Sequence, residues 1–157
     1  MENNREQYQR LAHRIADLAD RYQQVGQDYY KLQRDYGTGE LYTPTEVHMV
    51  TRIEENSGIT AKRIADETYR TKSAVSQMIT KLEDKGLVCR EKDPENGKQH
   101  LLYVTPKGRA LSLAHKAYDE NNPLLEDLAE HFGIQALENY IAVVEYLIQA
   151  EQCKKEK

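Results

Sequence analysis

Apolar positions recur along this chain in distinct patterns, and each pattern predicts a different element. Near the N-terminus, Tyr8, Leu11, Ile15, Leu18, Tyr22, Val25, Tyr29, Leu32 and Tyr36 follow alternating steps of three and four. That spacing keeps one stripe of a helix apolar. It predicts a helix from about Asn4 to Asp35, roughly 45–50 Å long at 1.5 Å per residue. Gly37-Thr38-Gly39 then breaks it. Pro44, preceded by Thr43, opens a second helix to about Asn56, with Val47, Met49, Val50 and Ile53 on its buried side and Ser57-Gly58 as its stop. Near the C-terminus Ile134, Leu137, Ile141, Val144 and Ile148 repeat the three-four step, and Tyr140 and Leu147 widen the stripe. The polar end, Glu151 to Lys157, is expected to fray. A helix cannot bury so long a seam alone. Both chain ends are expected to pack together, partly with a second copy, since a monomer would leave a large apolar patch in water.

The middle of the chain reads differently. A short helix over Ile59-Thr60-Ala61-Lys62-Arg63-Ile64-Ala65 is followed by a turn and a second helix from Thr71 to Leu82. In that second helix Val75, Met78, Ile79 and Leu82 form one apolar face. Ser73, Ser76, Gln77, Thr80 and Lys81 form the opposite face, which contains no acid. Small hydroxyls, an amide and lysines suit base edges and phosphates in a DNA major groove. Gly86 closes the helix as its C′ residue. Leu87 to Lys92 reads as a strand, Asp93-Pro94-Glu95-Asn96-Gly97-Lys98 as a hairpin loop, and Leu101 to Thr105 as the return strand. Thr105-Pro106 is an N-cap and first-turn proline for a helix over 106–121, interrupted at Asn121-Asn122-Pro123.

Composition sharpens this picture through its distribution. The chain has 157 residues and a formal net charge of −4. Residues 60–110 carry 11 Lys and Arg against 7 Asp and Glu, while the rest carries 11 against 19. A basic lobe on an acidic body steers DNA to one surface. The two cysteines, Cys89 and Cys153, are too few for a disulfide framework. No stretch has the length of a membrane span and no signal peptide is read, so a cytoplasmic location is expected.

From Leu41 to Gly108 the chain resembles the MarR-type transcriptional regulators. The residues carrying the likeness are Ile64-Ala65, Ser73-Ala74-Val75-Ser76, Leu82-Glu83-Asp84-Lys85-Gly86-Leu87, the wing loop from Asp93 to Lys98, and Val104-Thr105-Pro106-Lys107-Gly108. The resemblance implies a mainly α fold (an α+β winged helix) forming one domain over 1–157. Within it, a winged helix-turn-helix lobe over 44–105 binds duplex DNA, and segments 4–36 and 106–152 form a helical dimerisation region. It also implies a homodimer on a pseudo-palindromic site, repression, and modulation by a small, often aromatic, effector.

The expected DNA contacts are Lys72, Ser73, Ser76 and Gln77 in the major groove, with Gln77 suited to adenine and Lys72 to guanine or a phosphate. Lys81 is expected on the backbone. Thr60 caps the preceding helix and aims its N-terminus at a phosphate. The resemblance assigns the wing tip to the minor groove, where most members carry arginine; here the cations are Lys98 at the tip with Arg90 and Lys92 below it, which favours phosphate affinity over shape readout. Tyr29, Tyr30, Tyr36 and Tyr42 lie near the expected effector pocket, although Tyr29 and Tyr36 also fit core packing. His48, His115 and Asp119 are candidate zinc ligands, since His115 and Asp119 share a helix face and some relatives sense zinc. No cofactor is required by this reading. Two other classes stay open. One is a winged-helix adaptor that binds protein. The other, an enzyme, finds no nucleophile setting, His-Glu-x-x-His or phosphate loop, and is not expected.

Overall fold

The computed structural model describes residues 4–155. The first helix, α1, runs Asn4–Lys31, about 42 Å at 1.5 Å per residue. It stops four residues short of the expected Asp35. The next segment explains why: Arg34–Asp35 (β1) pairs antiparallel with Leu41–Tyr42 (β2). Asp35 Oδ1 accepts the backbone N–H groups of Gly37, Thr38 and Gly39 at 2.8, 2.9 and 3.1 Å. Gly37 and Gly39 hold φ of 86° and 77°, a region that glycine enters without steric cost. Tyr36, a seam position by spacing, therefore lies beyond the helix and is buried in the core. None of the residues of α1 is buried.

Helix α2 covers Pro44–Glu55. The Thr43 hydroxyl accepts the Glu46 N–H at 3.3 Å, and the Glu46 carboxylate accepts the Thr43 N–H at 2.8 Å. This reciprocal capping box fixes where the helix starts. Val47, Met49, Val50 and Ile53 are buried as their spacing predicts. Strand β3 (Ile59–Thr60), α3 (Ala61–Thr68) and α4 (Lys72–Asp84) follow. Thr60 and Thr71 cap the two helices by accepting the N–H of Arg63 and Ala74. Val75, Ile79 and Leu82 are fully buried, and Met78 packs against them. At the end of α4, Gly86 N–H donates to Glu83 O at 2.8 Å and Leu87 N–H to Leu82 O at 2.9 Å, the bond pair of a Schellman motif.

The wing is β4 (Val88–Lys92) paired with β5 (His100–Val104). β3 adds to the other side of β5, giving the order β3-β5-β4. The loop spans Asp93 to Gln99, and Gly97 keeps a negative φ, so Asn96-Gly97 is not the tight two-residue turn that this dipeptide favours. Helix α5 (Pro106–Glu120) starts at the wing base, where the Thr105 hydroxyl accepts the Gly108 N–H at 3.1 Å and donates to Gly86 O at 2.6 Å. A side chain at Gly108 would collide with the Leu87 carbonyl.

Packing divides the chain into two units, residues 1–116 and 117–157. The first holds the core, centred on Val47, Val50, Ile64, Ile79 and Leu102. The second contains α6 (Pro123–Phe132), capped by Asn122, and α7 (Ile134–Lys155). Pro123 thus begins a helix of its own, where its missing N–H costs nothing. Gly133, at φ 79°, separates α6 from α7. α7 continues through Lys155, past Glu151 where fraying was expected; Glu156 and Lys157 lie outside the described residues.

Candidate nucleic-acid interface

Capping and burial together orient α4. With Val75, Ile79 and Leu82 turned into the core, Lys72, Ser73, Ser76, Gln77, Thr80 and Lys81 are left exposed. Beside this face a groove of about 290 Å³ runs between α3, α4 and the wing. Thr60, Lys62, Ser76, Arg90, Lys98 and His100 line it, and no acid does. Four residues expected from sequence, Thr60, Ser76, Arg90 and Lys98, therefore meet in one place. Lys62 and His100 join them. Neither was singled out from the sequence, although Lys62 sits two residues after a readable N-cap. Lys92 is exposed on the wing, paired in register with His100.

Two of the expected cations are also engaged internally. Arg90 Nη2 lies 3.1 Å from Glu83 and donates to the Thr80 hydroxyl at 3.2 Å, so the wing strand is braced against α4. Lys81 Nζ lies 3.0 Å from the carboxylate of Glu46, which has no solvent exposure. Lys85 approaches the same oxygen at 2.8 Å. Burial opposes ionisation of Glu46, but Lys85, the Thr43 N–H and Lys81 outweigh it and hold the carboxyl down to about 2. Nearby, Tyr42 donates to Glu40 at 2.8 Å, and Glu40 pairs with Lys107 at 2.9 Å. Burial and the Glu40 carboxylate push the Tyr42 hydroxyl above its ordinary range. The T-x-x-E pattern at Thr43 announces the cap of α2; nothing in it announces that Glu46 would be buried against α4.

Five of the seven candidate effector and metal residues, Tyr29, Tyr30, Tyr36, His48 and His115, form a second cluster. Successive ring centroids lie 5.4 Å apart for Tyr29 and Tyr30, 6.1 Å for Tyr30 and His48, 5.0 Å for His48 and His115, and 5.6 Å for His115 and Tyr36. Tyr42 instead lines a separate cavity of about 330 Å³ with Gly37, Glu40, Lys107 and Leu111. Asp119 is exposed one turn beyond His115 on α5. Among the described residues, no group of three or more His, Cys, Asp or Glu side chains is arranged to hold a metal ion.

Residues 42–100, from the end of β2 to the first residue of β5, match the MarR family. Over that segment the chain is similar to the MarR family. Its curated relatives include an uncharacterized HTH-type transcriptional regulator, YhjH, of Bacillus subtilis (strain 168), 32% identical over 90 residues, which are 57% of this chain and 51% of that one. The chain spans about half the length of the curated relatives it matches. Among solved structures, the PcaV regulator of Streptomyces coelicolor in complex with its natural ligand superposes with a TM-score of 0.71 at 15% identity, covering 90% of this chain and 96% of that one. Streptococcus pneumoniae FabT in complex with DNA superposes at 0.65 and 18% identity, covering 92% and 97%. At these identities the likeness fixes the winged-helix fold and nothing finer. No described helix is long and apolar enough to cross a membrane.

Proposed function

We propose that this chain is a MarR-type transcriptional regulator that binds duplex DNA sequence-specifically, acting as a homodimeric repressor on a pseudo-palindromic site. The carrying observation is the exposed, acid-free face of α4 from Lys72 to Lys81, beside the basic groove under the wing. In this reading Lys72, Ser73, Ser76 and Gln77 meet base edges. Lys92 and Lys98 meet phosphates, and Arg90 holds the wing strand at the groove wall. A second copy covers the apolar seams. Leu11, Ile15 and Leu18 of α1 are about half exposed, and Tyr22 and Val25 about three-quarters, an area of apolar surface that a lone chain rarely leaves in water. Two-fold symmetry then sets two copies of α4 about one turn of DNA apart, ~34 Å.

The Tyr29-Tyr30-His48-His115-Tyr36 cluster is the proposed seat of a small aromatic effector that changes DNA affinity. Its half-exposed rings offer stacking partners at its open end and its buried rings a floor. A zinc-sensing version keeps only the pair His48 and His115, whose ring centroids lie 5.0 Å apart, since no third donor joins them among the described residues. A zinc titration that leaves both melting temperature and DNA affinity unchanged removes that version. The test of the main reading is selection from a random duplex pool. A two-fold symmetric motif is expected. Recovery of no motif would favour a protein-docking role for residues 72–81.

A further inference from the structure

Among the described residues Glu46 is the one carboxylate with no solvent exposure. Its two oxygens serve different neighbours. Oε2 accepts the Thr43 N–H at 2.8 Å and caps α2. Oε1 faces α4 and takes two ammonium groups, Lys85 at 2.8 Å and Lys81 at 3.0 Å. The two lysines are not equivalent. Lys85 is mostly covered, its ammonium lies 5.0 Å from the Tyr42 ring centroid, and its carbonyl accepts from Lys107 at 3.1 Å. It is built into the lobe. Half of the Lys81 side chain remains in solvent, at the C-terminal end of the face proposed to meet DNA.

One negative charge shared by two cations leaves the pair of lysines with an excess of one. The more exposed ammonium, Lys81, is the more weakly held. A DNA phosphate offers it an alternative partner at every sequence alike, because phosphate contacts carry no base information. We infer that Glu46 is a specificity-determining residue: it keeps Lys81 on the protein side of the interface, so that α4 meets DNA through Ser73, Ser76 and Gln77 without one of its own sequence-blind contacts. This inference rests on the DNA-binding reading. It gives the buried carboxylate a role beyond capping, since the cap uses only Oε2.

The test compares full-length wild type, Glu46→Gln, Lys81→Met and the double variant by fluorescence anisotropy. Each is titrated with the selected duplex and a scrambled duplex over a salt series. Glu46→Gln keeps a carbonyl oxygen for the Thr43 N–H but loses the charge. It is expected to bind the scrambled duplex several-fold tighter at low salt and to narrow the selected-to-scrambled ratio. Its salt dependence should steepen by about one phosphate contact, ~0.9 in the log–log slope. Lys81→Met alone is expected to keep the wild-type slope, and the double variant to return to it. An unchanged slope in Glu46→Gln, or a shallower slope in Lys81→Met alone, overturns the inference. If circular dichroism shows Glu46→Gln unfolded, Lys81→Met alone decides on the same criterion. A wild type that binds no duplex defeats the DNA reading and this inference together. A wild type that binds with salt-dependent affinity, beside variants that match it, defeats this inference alone.

Discussion

Gly108 shows how one missing side chain sets the approach of α5 to the wing. Its backbone N–H is tied to Thr105, and a Cβ there would run into the Leu87 carbonyl. Backbone on both sides of the contact cannot swing away as a flexible side chain would. Gly108→Ala is therefore expected to cost about 1–3 kcal/mol and to lower the melting temperature by several degrees; an unshifted melting curve would contradict the packing described. Gln77 and Lys98 divide readout from affinity. Gln77→Ala is expected to change base preference, by about 1–3 kcal/mol at one position. Lys98→Ala should weaken all duplexes alike and lower the salt slope by about one. Uniform weakening by both variants would show the division to be wrong. Glu46 gives a pH signature. Its folded value of about 2 lies below the ordinary 4.5, so its contribution is full above pH 4.5 and is lost as pH falls toward 2. That amounts to about 3 kcal/mol. Denaturant titrations across this window should show wild type losing stability and Glu46→Gln losing less. Parallel losses would remove the buried charge from the account.

At the scale of elements, what the sequence disclosed followed from local rules. Thr43, Thr60 and Thr105 sit where caps were expected, Gly86 closes α4, and Val75, Ile79 and Leu82 are buried by their spacing. These features involve residues a few positions apart, and periodicity and capping chemistry read them directly. The misses involve pairings across distance. The α1 seam continued in register to Tyr36, but pairing of Arg34–Asp35 with Leu41–Tyr42 ends the helix at Lys31. β3 is two residues long, too short to alternate, and exists because Ile59 and Thr60 pair with Leu102 and Leu101. Glu46 went unread in the sequence: the Thr43-x-x-Glu46 spacing carries a capping-box signal, but nothing local marks it as the partner of Lys81 and Lys85, more than thirty residues away. The groove under the wing shows the same limit. Arg90 and Lys98 were legible by charge, whereas Lys62 and His100 join them only once β3 and β5 are paired.

At the scale of the whole molecule, the two functions proposed occupy different surfaces of the chain. The basic face belongs to α4 and the wing, and the exposed apolar seam to α1, with further exposed apolar residues on α6 and α7, among them Phe132, Ile134 and Ile141. Light scattering should find wild type as a dimer. Replacing Leu11 and Leu18 together by glutamate should give the mass of one chain and remove tight binding to the symmetric site. A monomeric wild type would contradict the account of α1. The central claim, sequence-specific binding of duplex DNA through α4 and the wing, is tested most directly by fluorescence anisotropy. The pool-selected duplex and a scrambled duplex of equal length are compared over a salt series. The account predicts that the selected duplex binds at least ~10³-fold tighter and that both affinities fall steeply as salt rises. Equal affinity for the two duplexes, or binding indifferent to salt, would contradict it.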